Sequence, residues 1–234
     1  GLAGEDQDAK FGERVAEAVK DFDAGDAGHA DVEHQAAGPV VALGIAGAGW
    51  NLHAFTHMDS PRHVDPDGFT TDAITLDMTI GPGTVVDISH VPANSPISGE
   101  AIAAAGAHLR HGDIALIRAR WDERADIGKP EFWLNAPWMT AEAAIWLRER
   151  GIKAVGFDFP QDYCIRFFIT GEARPPLPEH VTHYHLLKQG VIMFEYLRNM
   201  GALRQARNQV IALPIRIPDS DGAPARVIAM EEEG

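Results

Sequence analysis

Three histidines and an aspartate crowd into eleven consecutive residues, His53-Ala-Phe-Thr-His57-Met-Asp59-Ser-Pro-Arg-His63. Imidazole nitrogens and carboxylate oxygens are the ligands that hold a divalent ion such as zinc, at about 2.0–2.2 Å. On a straight strand a rise of roughly 3.3 Å per residue would leave His53 about 13 Å from His57, so one ion could not reach both. Convergence requires a helical turn or tight bend between His53 and His57 and an extended segment from His57 to Asp59. Pro61 bars a helix from running on through it. The competing reading is a surface loop with solvated histidines, since pairs four residues apart arise by chance on helices. Asp59 and His63 tip the balance toward a divalent-metal site.

A second run, Thr182-His-Tyr-His-Leu-Leu-Lys-Gln-Gly-Val-Ile-Met-Phe-Glu195, sets His183 and His185 ahead of an apolar strand with a carboxylate at its end. Glu195 would therefore lie at the edge of a core, where an unpaired charge is costly. A metal ion would stabilise it there; an ion pair with Arg198 is the alternative.

Composition narrows what such a site serves. The 234 residues are 45% hydrophobic, enough for a sizeable core in one domain. Acidic residues outnumber basic ones 34 to 20, for a net charge of −14, which disfavours a nucleic-acid backbone or an anionic membrane surface as partner. A small-molecule substrate fits better. Cys164 is the one cysteine, so a thiolate knuckle or internal disulfide is excluded and any ion must be held by His and carboxylate. The apolar runs are far shorter than the roughly 20 residues of a membrane-spanning helix. No secretory signal is present, and the cytoplasm is the expected compartment; the initial Gly leaves open a leader removed ahead of it.

The elements that must position these groups read as mixed α/β. Residues 1–36 form an acidic extension, with Phe11, Val15, Ala18, Val19 and Phe22 on one face of a helix followed by a loop. From residue 37 to 234 one domain is expected. β-Branched runs bounded by Gly or Pro predict strands at Val40–Ile45, Gly83–Ile88, Asp113–Arg120, Lys153–Asp158, Val191–Phe194 and Val210–Ile217. Ser98 is placed to cap a helix over Gly99–His108, and Thr140 one over Ala141–Arg150 that stops at Gly151. Ile215 to Ile228 reads as two strands joined by an Asp221-Gly222 turn.

The residues His53 to His63 resemble the His-x-Gly-Thr-His-x-Asp-x-Pro-x-His signature of the cyclase family of metal-dependent hydrolases, which includes bacterial kynurenine formamidase and isatin hydrolase. Only Phe55 departs from it. His183, Leu186, Leu187, Gly190 and Glu195 match a second family segment, His-x-x-Leu-Leu-x-x-Gly-Ile-x-x-x-Glu. Weaker similarity extends over roughly residues 40 to 230. The resemblance implies a swivelling β/β/α fold and a homodimer or homotetramer. It implies one or two zinc or manganese ions held by His53, His57 and Asp59, with His183 and Glu195 completing the site or holding a second ion. It makes His63 the acid/base.

A divalent ion on such ligands polarises a carbonyl and makes hydroxide available near neutral pH, and His63, with an unperturbed pKa of about 6.5, suits proton transfer. The expected activity is hydrolysis of a small amide, cyclic amide or ester, at carbon–nitrogen bonds other than peptide bonds. A cyclase or dehydratase of aromatic natural-product synthesis, or a non-catalytic metal-binding protein, are the alternatives. Phe is a poor residue for the positive φ that Gly allows, so at Phe55 either the bend is ordinary or its shape has changed. Phe55, Trp50 and Arg62 are candidate substrate contacts, and Trp121, Phe132, Trp133 and Trp138 could add an aromatic wall or simply core. Asp158 and Gln161, after a predicted strand, are candidates for orienting the ligands.

Overall fold

The β-branched runs become the strands of a barrel. The computed structural model describes residues 51–231; the helix expected over Phe11–Phe22, the strand expected at Val40–Ile45 and Trp50 lie outside the described residues. In chain order the strands are β1 (His57–Asp59), β2 (Ile80–Asp87), β3 (Pro96–Ile97), β4 (Ile114–Arg118), β5 (Trp138–Met139), β6 (Ala154–Phe157), β7 (Ile192–Glu195), β8 (Arg207–Pro214) and β9 (Gly222–Met230). Seven close in the order β1-β7-β6-β4-β2-β8-β9, while β3 and β5 pair by themselves. Strands β2, β4, β6 and β7 run parallel, and β1, β8 and β9 complete the circle by antiparallel pairing.

Strand alternation divides the core in two. Val85, Leu116, Ile192 and Phe194 fill the barrel with Met58 and Val210. Val86, Ile117, Val155, Phe157 and Met193 point outward, where Ile102, Ala143, Ala144 and Leu147 from two helices cover them. Parallel strands covered on both faces read as continuous apolar runs, which is why they were legible. Burying each large side chain stabilises the fold by about 1.5–3 kcal/mol.

The helices begin where expected. Ser98 Oγ accepts from Ala101 N at 3.1 Å to start Gly99–Ala105, and Thr140 Oγ1 accepts from Ala143 N at 3.4 Å to start Ala141–Glu149. The first ends three residues short of His108 because Gly106 caps it. After the second, Gly151 takes a φ of +70°, where an added Cβ would lie 2.4 Å from the His111 ring.

The hairpin near the C-terminus corrects the sequence reading. Asp221-Gly222 is no turn: β8 ends at Pro214, a loop with Asp219 at φ +59° follows, and Gly222 already belongs to β9. Gly222 stands across the ladder from Asp59, and a Cβ on it would sit 2.4 Å from the His53 ring. Glycine is there for close approach, a role that looks the same as a turn in sequence.

Candidate metal centre

Strand β1 is three residues long and sorts the first motif by face. Met58, fully buried, points into the barrel opposite Phe194, and the alternate side chains His57 and Asp59 point out of it, with His57 directly across from Glu195. His57 Nε2 stands 3.2 Å from Asp59 Oδ1 and 3.5 Å from Glu195 Oε2.

The bend ahead of β1 folds His53 back onto the same place. Asn51 accepts from Ala54 N and, through its side chain, from His53 N. Phe55 adopts a φ of +57°, so the left-handed conformation is kept without a glycine, and its carbonyl accepts from His57 Nδ1 at 2.8 Å. His53 Nδ1 then lies 2.8 Å from Asp59 Oδ1. Past β1, Pro61 opens a single 3-10 turn over Pro61–His63, where its missing N–H costs nothing. The turn brings His63 within a ring-centroid distance of 4.2 Å of His53.

The second motif arrives from the other side. His183, on the short helix Val181–His185, places Nε2 3.7 Å from Asp59 Oδ2 and 3.6 Å from Glu195 Oε1. Its Nδ1 meets Asp162 Oδ2 at 2.7 Å, and Asp162 Oδ1 accepts from Thr182 N. Gln161 donates to Glu195. His57, Asp59, His183 and Glu195 are all buried.

So many ionisable groups in one buried place set each other's protonation. Burial works against charge on His53, but Asp59 and Asp221 outweigh it and lift its pKa to about 10. Burial likewise opposes the charge of Asp59, yet His53, His57 and His63 hold its carboxyl well below the usual range. His183 is raised, against burial, by Asp162 and Asp59. His63 goes the other way, lowered by burial and by the charge of His53. Tyr196, whose ring centroid is 5.5 Å from that of His57, is kept protonated by burial and by Glu195.

Whether the cluster suits a divalent ion is decided by what it leaves unpaired. Buried polar atoms are almost always hydrogen-bonded, yet His57 Nε2 and Asp59 Oδ2 are buried without a hydrogen-bond partner. Both face the space shared with Glu195 and His183. Donor atoms of His53, His57 and Asp59 lie within 4.8 Å of one another, as do those of Asp59, His63 and His183. Imidazole and carboxylate donors aimed at one buried point are the ligand chemistry of zinc or manganese, and the residues fit such an ion.

Other residues singled out in the sequence fall elsewhere. The Asp158 carboxylate accepts from Ala119 N and Arg120 N at 2.9 and 2.8 Å, holding a turn in which Arg120 is left-handed rather than orienting a ligand. Arg62 is exposed and donates to Pro66 O in its own loop. Trp121 and Phe132 are core, joined by Trp121 Nε1 donating to Phe132 O. Trp133 is half-buried against Tyr196, Trp138 stacks with Tyr163 and Arg166, and the Phe55 ring is 67% exposed.

Three contributors went unrecognised. Asp162 was adjacent to Gln161 but passed over for Asp158, which sits nearer the strand; the chain bends at 158 and 159, and Gln161 and Asp162 then meet Glu195 and His183. Tyr196 follows Glu195 at a φ of +54°, which swings it to the same side. Asp221, disguised as a turn residue, meets His53 and His63.

The barrel and this convergence define a protein with a buried cluster of histidines and carboxylates that fits a divalent ion. Residues 26–161, more than half of the chain, match the family model described as "Putative cyclase", and the chain belongs to that cyclase family. It is 27% identical over 180 residues to the kynurenine formamidase of Bacillus cereus, covering 76% of each chain. Among solved structures it resembles isatin hydrolase A from Labrenzia aggregata bound to benzyl benzoate, at 26% identity and a TM-score of 0.62 over 76% of this chain and 73% of that one. It also resembles a potential metal-dependent hydrolase with cyclase activity, at 27% identity and a TM-score of 0.59 over 82% and 87%.

Proposed function

We propose that the protein is a metal-dependent hydrolase that opens a carbon–nitrogen bond of a small non-peptide amide, an aryl formamide or a cyclic amide of the isatin kind. One observation carries this: His57 Nε2 and Asp59 Oδ2 are orphaned in a buried cluster whose other donors face them. The kynurenine formamidase and isatin hydrolase relatives support the choice of bond.

In this reading His53, His57, Asp59, His183 and Glu195 hold one or two zinc or manganese ions. The ion, when bound, supplies Lewis acidity toward the substrate carbonyl and lowers the pKa of water. Asp59 is kept ionised by its imidazole neighbours, and Glu195 is oriented by Gln161. His63, whose pKa is lowered by burial, accepts a proton and returns it to the leaving nitrogen. Cys164 is buried and its thiol is pushed up to about 12 by burial and by Asp162, so it offers no thiolate nucleophile. The exposed Phe55 ring beside two ligand histidines is the reading's candidate contact for an aryl substrate. The finer assignments that go with it are the swivelling β/β/α scaffold, a domain from residue 37 onward behind an acidic extension, a cytoplasmic setting and a homodimer or homotetramer.

The test is elemental analysis followed by a screen of formamides, lactams and lactones, with His63→Ala as the comparison. The expected result is at least one divalent ion per native chain. Hydrolysis should be lost on chelation and reduced about 10²–10⁴-fold in His63→Ala with the ion retained. A native protein that takes up no divalent ion refutes the reading; cyclised product without net water addition points instead to the cyclase activity reported for the related structure.

A further inference from the structure

Asp221 reaches the centre from the far end of the chain and stands between two histidines of the first motif. Its Oδ1 lies 3.2 Å from His53 Nε2 and its Oδ2 3.1 Å from His63 Nδ1, with the residue only 3% exposed. Its backbone is fixed as firmly as its side chain. The Asp221 carbonyl accepts from both the N–H and the hydroxyl of Ser60, at 2.9 and 3.0 Å, so it is clamped to the residue that follows Asp59. The next residue, Gly222, leaves just enough room for the His53 ring.

We propose that Asp221 is the positioning residue of the centre: one carboxylate that sets which ring nitrogen of His53 and which of His63 is available to the metal and substrate side. The inference rests on the hydrolase reading above. Each imidazole has two nitrogens, and neutral imidazole carries its proton on one of them. An ionised carboxylate accepts on both oxygens and donates on neither. With an ion on the Asp59 side, both histidines turn an N–H toward Asp221 and present a lone pair at the opposite nitrogen. For His53 that nitrogen is Nδ1, 2.8 Å from Asp59, as a ligand requires. For His63 it is Nε2, as an acid/base requires. A single side chain thereby ties ion retention to proton transfer, although the two histidines sit ten residues apart and Asp221 more than 150 residues beyond them.

An amide of the same shape cannot do this. Asparagine offers one acceptor and one NH₂ donor, so one of the two histidines would be forced into the opposite tautomer.

The test compares native protein with Asp221→Asn and Asp221→Glu, each checked for native circular dichroism. Affinity for Zn²⁺ alone is read by competition with a chromogenic chelator, and the His53 and His63 tautomers by long-range ¹H–¹⁵N NMR of the zinc-loaded native protein. Kinetics at saturating metal use whichever substrate the screen returns. In Asp221→Asn, zinc affinity should fall about 10–100-fold. At saturating zinc, kcat should fall while KM moves less than about twofold, and Asp221→Glu should recover part of both. In native protein the proton should sit on Nε2 of His53 and Nδ1 of His63. Unchanged zinc affinity in a folded Asp221→Asn, or the opposite tautomer on either histidine of native protein, overturns the proposal. Should Asp221→Asn fail to fold, the native tautomers decide alone. A native protein that binds no zinc would instead sink the hydrolase reading, and the position of the His63 proton, expected on Nδ1, would still judge Asp221 in the metal-free protein.

Discussion

A left-handed phenylalanine between two histidines of the cluster invites a direct measurement. Phe55 holds a φ of +57° with its ring 67% exposed, so the ring gains little from burial while its Cβ strains the backbone. For a residue with a Cβ that conformation costs about 1–2 kcal/mol. Replacing Phe55 with Gly removes the strain, and the extra freedom of glycine in the unfolded chain takes back roughly 0.5–1 kcal/mol. Replacing it with Ala keeps the strain. Phe55→Gly should thus be more stable than Phe55→Ala by about 0.5–1 kcal/mol, the reverse of the order in a helix or strand interior. Urea unfolding at fixed metal concentration reads the difference, provided the slope with denaturant is the same for both variants. Both should keep their metal, because the group that orients His57 is the backbone carbonyl of residue 55. An alanine variant as stable as the glycine variant, or more so, would show that the bend at residue 55 is not left-handed and would undo the account of how His53 is returned to the cluster.

Two further substitutions separate the centre from its surroundings. Asp162→Asn should weaken metal retention about 10–100-fold, because Asp162 holds His183 through Nδ1 at 2.7 Å; chelator competition measures it, and unchanged affinity would remove Asp162 from the centre. Asp158 carries a different signature: burial pushes its carboxyl up to about 7, despite the N–H bonds from Ala119 and Arg120. A carboxyl raised on folding binds its proton more tightly in the native state, so its contribution is fully present below about pH 4 and is lost as pH rises toward 7. The gap from its ordinary 3.8 to about 7 corresponds to roughly 4 kcal/mol. Asp158→Asn should flatten the fall in stability between pH 4 and 7, at the cost of one unpaired backbone N–H; an unchanged slope in denaturation series across that range would refute the assignment.

The parts of the molecule legible in sequence are those where local and tertiary demands agree. Ile114 to Arg118 and Ala154 to Phe157 are buried on both faces, so their apolar runs announce strands; Ser98 and Thr140 cap their helices through bonds spanning three residues. The histidine motif was legible because its side chains lie within one bend and one short strand. What escaped depends on distant partners. Nothing near Asp221 says that Ser60 and two histidines will meet it, and its Asp-Gly pairing advertises a turn that β9 overrides. Asp158 and Asp162 stand four residues apart on either side of a bend at 158 and 159, and the direction of the chain there is set by packing. Phe55 shows the opposite case: a residue that disfavours a conformation is made to adopt it because the carbonyl and the flanking histidines need that bend.

Strand β1 has two neighbours in the barrel, β7 and β9, and both lie far downstream of it. During synthesis at about 5–20 residues per second, the stretch from Asp59 to Gly222 takes roughly 10–30 s to emerge. Until residues 192–195 emerge the His53–His63 segment has no partner strand and no Glu195, and until the end of the interval it has no Asp221. The nascent chain offers loose ligands to any ion it meets, and the enclosed geometry exists only once the last strand has been made. A chain that stops before residue 222 would therefore leave its first strand paired on one side only, against β7.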